Sequence, residues 1–336
     1  MIPKFLDRVA SVLAAIGCIS ACKGGASTTV AIDGSSTVYP ITEAVAEAFR
    51  AVQPEVRVTV GISGTGGGFK KLCAGETDLA DASRPIKPSE VELCAKNAIT
   101  FVEIPVAYDG IAIVVNPKNT WATNITREEL KKLWAPEAQG KVKLWSQVRA
   151  GWPDSEIHLF GAGVDSGTYD YFTEAIVGKE HSSRGDYTSS EDDNVLVQGI
   201  AGDTQALGFF GLAYYEQNKT RIKVVPVDDG KPENGAGPIV PSSQTVRDGT
   251  YQPLSRPLFV YGSTKALAKP HVAAFVKFYL AQAPKLVDAV GYIALPDKAY
   301  GWAQGRVDRG AVGSLFGGKG SQVGITIEAL IAREAQ

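Results

Sequence analysis

Residues 29–62 read TVAIDGSSTVYPITEAVAEAFRAVQPEVRVTVGI. The run Thr29–Ile32 is short and mainly apolar, which is typical of a strand, and Val56–Ile62 alternates in the way a second strand does. Between them, Ile41–Val52 carries apolar residues at helical spacing and ends before Pro54. A strand, a helix and a second strand in succession indicate a βαβ unit. The sequence therefore predicts an α/β fold.

The same alternation of strands and helices continues to the end of the chain. The further predicted strands are Asp78–Ala80, Ile99–Pro105, Gly110–Asn116, Ile157–Phe160, Ala206–Gly211, Lys223–Val227 and Pro257–Tyr261. A helix is predicted to begin with Phe69–Ala74, a second covers Ser89–Asn97 with Ser89 as N-cap, and a third begins at the Thr126–Glu129 capping box. The later predicted helices are Thr168–Val177, Asn194–Ile200, His271–Ala283 and Ile325–Arg333. This order predicts a mainly parallel sheet.

Length and composition limit the classes of protein to consider. The chain has 336 residues, and because domains usually contain about 100–200 residues, we expect two. The apolar fraction of 44% and the charged fraction of 21% are typical of a folded globular protein. The formal net charge of −2 provides no basic field, so we expect no nucleic-acid partner.

Residues 1–22 have the pattern of a bacterial export signal. Lys4 and Arg8 give a positive start, and Val9–Ile16 is an apolar run too short to span a bilayer. Ile19–Cys22 then resembles a lipobox, in which the cysteine becomes the lipidated first residue. We expect Cys22 to anchor the chain to a membrane, with Cys18 as the weaker candidate.

Residues 23–28 would form a tether after this anchor. Beyond the tether, the exported chain contains two cysteines. Cys73 and Cys94 predict a disulfide, with two free buried thiols as the alternative. We expect no metal site and no cofactor, since the two cysteines lack nearby histidine partners.

Four segments share one design: a strand, a turn rich in glycine and hydroxyl residues, and a helix. They are Asp33–Val38, Ser63–Lys70, Asp81–Pro85 and Asp165–Thr168. Free N–H groups and the positive end of the dipole at a helix N-terminus favour anions, and Ser and Thr hydroxyls add donors without bulk. Several such turns facing one cleft predict a site for a small tetrahedral oxyanion.

These motifs resemble the phosphate-binding proteins of high-affinity phosphate ABC importers. The stretches that carry the resemblance are Gly34–Pro40, Ser63–Lys70, Asp81–Ile86 and Asp165–Phe172, with Ser190–Gly199 and Ala206–Gly211 fitting one branch of that family. The resemblance implies a two-lobed periplasmic-binding-protein fold, type II-like, with the ligand cleft between the lobes. Lobe 1 would comprise residues 29–112 plus 256–336, and lobe 2 residues 113–255.

The resemblance also implies the residues that bind phosphate. The expected set is Ser36, Thr37, Val38, Ser63, Thr65, Ser83, Arg84, Asp165, Ser166, Gly167 and Thr168, with Val38 and Gly167 acting through their amides. The chain departs from the best-known branch at Ala162, where that branch has Arg, and at Ser83, where it has Asp. Arg84 is the expected replacement cation, because a guanidinium can bridge two phosphate oxygens.

The Asp that is missing at Ser83 would accept the proton of hydrogen phosphate and so exclude sulfate. If the role has moved, Asp81, Asp165 and Asp193 are all candidates, and the sequence does not choose between them.

The expected function is capture of inorganic phosphate, by a lipid-anchored monomer in the cell envelope, and delivery to ABC permease subunits. The alternatives are binding of another oxyanion (sulfate, molybdate or arsenate) or a phosphate-sensing lipoprotein. We do not expect an enzyme. Gly163–Gly167 is one residue too long for a nucleophile elbow, and Phe69 separates Gly68 from Lys70, which breaks a Walker A motif.

Overall fold

The residues described by the computed structural model are 28–164, 166–190, 192–318 and 326–334. The predicted signal peptide with Cys18 and Cys22, most of the predicted tether, and Asp165 lie outside the described residues. Within the described part of the chain, no helix has both the length and the apolar character needed to cross a membrane.

The strands and helices alternate along the chain as the sequence predicts. The strands are β1 (Thr28–Gly34), β2 (Val56–Ile62), β3 (Leu79–Ala82), β4 (Phe101–Val115), β5 (Ile125–Thr126), β6 (His158–Ala162), β7 (Thr188–Ser190), β8 (Ala206–Gly211), β9 (Lys223–Val224), β10 (Val227–Asp228) and β11 (Ser255–Ser263). The helices are α1 (Tyr39–Val52), α2 (Gly64–Ala74), α3 (Pro88–Lys96), α4 (Arg127–Trp134), α5 (Trp145–Val148), α6 (Gly167–Phe172), α7 (Asp193–Gly202), α8 (Leu212–Asn218), α9 (Ser243–Arg247), α10 (Thr264–Leu267), α11 (Pro270–Ala289), α12 (Asp297–Asp308) and α13 (Ile327–Glu334). A π-helical turn, Thr173–Val177, continues α6, and Pro136–Ala138 and Pro232–Asn234 form 3₁₀ turns.

The main sheet has parallel flanks and an antiparallel centre. Its order is β2-β1-β3-β11-β4-β8-β6-β7, with β9 also beside β4. β1 runs parallel to β2 and β3, and β6 runs parallel to β7 and β8, whereas β11 and β4 are antiparallel to each other and to their outer neighbours. The prediction of a mainly parallel sheet is therefore correct only for the flanks. The central strands differ because they carry the chain in opposite directions between the two halves of the sheet.

β4 is one strand where the sequence predicts two. Its residues Phe101–Gly110 pair with β11, and Ile111–Val115 pair with β8. The expected break at Pro105 is a bulge, since the register shifts by one residue beside it; proline has no N–H to donate to the ladder. The predicted lobe boundaries near residues 112 and 255 stay a prediction, which this change of partner supports.

α1 and α2 cover opposite faces of the first half of the sheet. Asp33 and Asp81 point to opposite faces, because Gly34 is the strand partner of Asp81 and Asp33 that of Ala80. Asp33 contacts Lys71 of α2, and Asp81 accepts a hydrogen bond of 3.0 Å from the Thr42 hydroxyl of α1. Both helices start at the same edge of the sheet, directly after β1 and β2.

The aromatic core differs between the two halves. In the first half, Phe49 of α1 packs edge-to-face on Phe275 of α11, with ring centroids 5.3 Å apart. In the second half, Phe172 stacks on Phe209 of β8 at 3.8 Å, and Trp134 packs edge-to-face against both rings. These contacts fix α6, and with it the fourth glycine–hydroxyl turn, on its own half of the sheet.

Three local predictions are wrong in detail. The glycine-rich segment is helical from Gly64, not a turn leading to a helix at Phe69. α3 begins at Pro88 with Lys87 as N-cap instead of Ser89, because proline suits the first helical position and the Glu90 carboxylate accepts the Lys87 amide at 2.8 Å. The predicted strand 223–227 is two short strands, β9 and β10, separated at residues 225–226.

The predicted disulfide and capping box are both confirmed. Cys73 in α2 is bonded to Cys94 in α3, with Cα atoms 4.3 Å apart, so the bridge ties these two helices together. At the start of α4, the Glu129 amide donates to the Thr126 hydroxyl at 3.1 Å, and the Glu129 carboxylate accepts the Thr126 amide at 2.9 Å.

Asp81 is a carboxyl group inside the core, and its titration must affect stability. Its Oδ2 atom has no hydrogen-bond partner among the described residues. Burial raises the pKa of Asp81 to about 8, against the opposing effect of the Thr42 hydroxyl and with a further increase from Asp33. The folded protein therefore retains a proton that the unfolded chain loses near its ordinary pKa of 3.8.

We predict that this carboxyl makes the protein less stable as the pH rises. Because the folded pKa is raised, the stabilising contribution is complete below about pH 4 and is lost as the pH approaches about 8. Asp81→Asn cannot ionise, so it should gain stability over the wild type steadily across that interval. Thermal unfolding of both proteins between these pH values measures the difference, with Glu55→Gln on the surface as control. Parallel melting curves at every pH would contradict the burial of an ionisable Asp81.

Candidate functional site

The first and third glycine–hydroxyl turns are joined through their backbones. The Ser35 amide donates to the Asp81 carbonyl at 3.0 Å. Gly34 has a φ of 150°, and a Cβ atom there would overlap the Asp81 backbone, so only glycine allows this approach. The Thr37 amide donates to the Ser35 hydroxyl at 3.2 Å and the Val38 amide to the Ser35 carbonyl at 3.2 Å. The Val38 amide, a predicted ligand, is thus already bonded within its own turn.

The second turn is fastened to the first by Asp33. The Ser63 amide donates to the Gly34 carbonyl at 3.2 Å, and the Ser63 hydroxyl donates to one oxygen of Asp33. Lys71 bonds the other oxygen of the same carboxylate at 2.5 Å. The hydroxyl of Ser63, predicted as a phosphate ligand, therefore holds the turn in place and has given its hydrogen to Asp33.

Thr65 and Ser83 connect the second and third turns, and one of their two hydroxyl groups can still donate a hydrogen bond to a ligand. Their hydroxyl oxygens are 3.0 Å apart, and the Ser83 amide donates to the Thr65 oxygen at 3.2 Å. Two hydroxyl hydrogens are present and only one lies between the two oxygens. Whichever direction that bond takes, the other hydroxyl keeps a hydrogen for a ligand.

The fourth turn comes from the other half of the sheet and meets the first. Ser166 caps α6 by accepting the Thr168 amide at 3.2 Å, which leaves its own hydrogen free to donate. A Cβ atom on Gly167 would lie 2.7 Å from the Thr37 amide nitrogen and 2.9 Å from the Ser36 hydroxyl. The absence of a side chain at Gly167 is what lets the two halves close on each other here.

Arg256 joins both sides of this contact, and the sequence analysis did not single it out. Its Nη2 atom donates to the Thr37 hydroxyl at 3.1 Å and to the Gly167 carbonyl at 3.3 Å. It lies at the start of β11 in the tripeptide Ser255-Arg256-Pro257. The same Ser-Arg-Pro sequence surrounds Arg84. The repeated tripeptide is the signal that could have found it.

Two more side chains surround the Arg256 guanidinium. Asp109, its strand partner on β4, has an oxygen 3.5 Å from Nη2. Burial raises the pKa of Asp109, and Arg256 opposes this rise. The Tyr171 ring of α6 lies face-on to the guanidinium, 3.8 Å from its central carbon, and the Tyr171 hydroxyl donates to the Pro253 carbonyl at 2.6 Å.

Arg84, the predicted cation, has a carboxylate partner of its own. Its two terminal nitrogens donate to both oxygens of Glu90 at 2.9 and 2.8 Å, and its central carbon lies 5.5 Å from the Phe69 ring. It is only 6% exposed, so this is a buried pair rather than a surface one. Burial lowers the pKa of Arg84, but Glu90 more than reverses that effect and the pKa is raised overall.

The candidate proton acceptors lie in different places. Asp81 faces Thr42 and, through it, Tyr279 in the core, away from the hydroxyls of Thr65 and Ser83. Asp193 is the first residue of α7, and its charge contributes to raising the pKa of the half-buried Tyr292, after burial and the charge of Asp109 and against the opposing effect of Arg256. Asp165 is outside the described residues. Asp109, which was not among the predicted candidates, contacts Arg256 and so lies beside the contact between the halves.

The assembled site is a set of neutral donors on turns beside the buried Arg256 guanidinium. Hydroxyls of Ser36, Thr37, Thr65 or Ser83, Ser166 and Thr168 lie on turns that open α1, α2 and α6 or follow β3. Such a set can bind a small anion through many short hydrogen bonds, with the charge carried by the guanidinium and by helix N-termini.

Comparison with known proteins agrees with this geometry. Residues 21–283 match the model of the PBP superfamily domain. The chain is 49% identical to Protein SphX of Synechocystis sp. over 94% of its own length and 93% of that protein. It is 38% identical to the phosphate-binding protein PstS of Staphylococcus saprophyticus, covering 86% of this chain and 90% of that protein.

Solved structures of proteins described as phosphate-binding have the same fold. A possible phosphate-binding protein from Planctomyces limnophilus superposes with a TM-score of 0.77 at 48% identity, covering 84% of this chain and 98% of that one. An ABC-type phosphate transport receptor from Vibrio cholerae superposes with a TM-score of 0.62 at 27% identity, covering 80% and 100%. With its fold, its glycine–hydroxyl turns and these relatives in agreement, the chain belongs to the PBP superfamily and, within it, to the family of phosphate-binding proteins that includes PstS.

Proposed function

We propose that this protein captures inorganic phosphate between the two halves of its sheet and delivers it to the permease of an ABC importer. The observation that carries the proposal is the contact between Thr37 and Gly167, which come from different halves and share one guanidinium. A ligand held at that contact stabilises the closed arrangement, because only there do both halves donate to it. The permease would then recognise the closed form.

The chemistry of the donors suits a small tetrahedral anion. The proposed ligands on the meeting turns are Ser36, Thr37, Thr65, Ser83, Ser166, Thr168 and the Gly167 amide. Ser63 and Val38 support the proposal less directly, because their donors are engaged within the turns. Most of the binding energy would come from neutral donors in a buried site, so binding should depend only mildly on salt.

Calorimetry tests the ligand directly. The protein, freed of carried-over anion by partial unfolding and refolding, should bind phosphate at one site with micromolar or tighter affinity, about −8 kcal/mol or stronger. Sulfate, molybdate and arsenate are titrated in parallel. Tight binding of one of these with no heat from phosphate would replace the proposed ligand. No heat from any of the anions would argue for a protein that has kept the fold but lost transport.

Gly167→Ala tests whether the contact between the halves is needed for binding. A methyl group at this position overlaps Thr37, so the closed arrangement is disfavoured and phosphate affinity should fall by at least about tenfold. Gly202→Ala is the matched control, because a Cβ there meets no atom within 4 Å. Small-angle scattering with and without phosphate should show compaction of the wild type and the control only. Equal affinity and compaction in the Gly167 variant would refute closure at this contact.

We further propose that the protein is exported and held on a membrane by lipid on Cys22, as a monomer. The support is the sequence Ile19–Cys22 after a short apolar run, together with the Vibrio cholerae relative named as an ABC-type phosphate transport receptor. Radiolabelled fatty acid fed to cells should label the wild type and Cys18→Ala but not Cys22→Ala. Labelling lost in Cys18→Ala alone would move the anchor to Cys18, and no labelling of the wild type would remove it.

A further inference from the structure

We propose that Arg256 is the residue that brings positive charge to the bound anion and latches the two halves of the protein around it. This inference rests on the proposed function, because the ligand it assigns to Arg256 is a tetrahedral oxyanion such as hydrogen phosphate. It differs from the sequence prediction, which gives the role of cation to Arg84.

The hydrogen bonds of Arg256 leave its charge only partly compensated. The residue is 9% exposed, so its guanidinium has little access to water. Among the described residues its one carboxylate contact is the 3.5 Å approach of Asp109, which is at the outer limit of a hydrogen bond. Its Nε atom is buried and bonds no group among the residues that the structure describes. A buried cation with a spare donor and a distant counter-ion is suited to accept a further anion.

Arg84 provides the contrast within the same molecule. Its Nε atom, like that of Arg256, bonds no group among the described residues, but both of its terminal nitrogens bond Glu90 at 2.9 and 2.8 Å as a bidentate pair, which compensates its charge far better than the 3.5 Å contact of Asp109 compensates that of Arg256. An anion that took over these donors would leave the Glu90 carboxylate, 13% exposed at its side chain, without them. A bound phosphate would therefore compensate the charge of Arg256, which has only a distant counter-ion, more than the charge of Arg84, which already has a close one.

The position of Arg256 in the chain explains why it can act as a latch. It stands at the start of β11, where the chain returns from the second half of the sheet to the first. From there Nη2 bonds Thr37, which opens α1, and Gly167, which opens α6. The Tyr171 ring lies against the guanidinium, and the Asp109 carboxylate approaches its Nη2 atom. In this structure both halves contact the same charged group, as a latch requires.

Thr37 is also affected by this arrangement. Its hydroxyl oxygen accepts from Arg256, so its hydrogen points away from the guanidinium and can be donated to an anion. Arg256 thus contacts the ligand and also orients the hydroxyl beside it. Loss of the guanidinium should weaken binding more than loss of one ordinary hydrogen bond.

The test compares four variants by calorimetry with inorganic phosphate and by small-angle scattering. Arg256→Gln should bind phosphate at least about 100-fold more weakly than the wild type and should not compact when phosphate is added. Arg256→Lys should fall between them, because it keeps the charge but cannot bridge Thr37, Gly167 and the anion. Arg84→Gln should lose less than about tenfold. Arg149→Gln is the matched control: Arg149 also bonds a carboxylate, Glu129, and lies over a ring, Trp152, but is away from the contact.

A pH series separates a ligand role from a structural one. Phosphate is mainly a dianion at about pH 8 and a monoanion at about pH 5.5, so a contacting cation matters more at the higher pH. The affinity lost in Arg256→Gln should be larger at the higher pH, whereas the loss in Arg256→Lys, which keeps the charge, should be the same at both. A loss independent of pH in Arg256→Gln would reduce Arg256 to a structural residue.

The inference and the proposed function fail in different ways. A wild type that does not bind phosphate refutes the function and, with it, this assignment. A wild type that binds phosphate while Arg256→Gln binds within about threefold of it refutes only the assignment to Arg256. If Arg84→Gln binds phosphate more weakly than Arg256→Gln does, the cation that contacts the anion is Arg84 and not Arg256.

Discussion

The antiparallel pairing of β4 with β11 is the constraint on which the rest of the structure depends. These two buried strands carry the chain out of the first half of the sheet and back into it. Their pairing places Arg256 opposite Asp109, at the point where β4 changes its partner from β11 to β8. Because these backbone ladders are buried, the pair connects the two halves and places the guanidinium beside the turns that each half contributes.

The glycine–hydroxyl turns share one position in the fold. Each follows a strand and opens a helix or a tight bend, so its donors lie at one edge of the sheet. Backbone contacts between Gly34 and Asp81, and hydroxyl contacts between Thr65 and Ser83, hold three of the turns as one unit. Only the fourth, with Gly167, belongs to the other half. The site is therefore divided between the two halves of the sheet, with three turns on one half and the fourth on the other.

Much of the fold, and the turns that the structure brings together, could be predicted from local sequence. β2 and β8 begin and end where the pattern predicts, the Cys73–Cys94 bridge is present, and all three glycine–hydroxyl turns that the structure describes in full lie together. Local patterns do not reveal which partner a polar side chain takes in the folded chain. Ser63 was expected to bind the anion, but its hydroxyl bonds Asp33, and Arg84 was expected to be the cation of the site, but it forms an ion pair with Glu90.

The sequence by itself determined the alternation of strands and helices and the glycine–hydroxyl turns between them, because periodicity, capping and glycine freedom act over a few residues. Only the tertiary structure decided which turns meet and which arginine joins them. Arg256 is separated from Thr37 by 219 residues and from Gly167 by 89. Such contacts depend on the order of strands in the sheet, and that order is set by packing across the whole chain rather than by any local pattern.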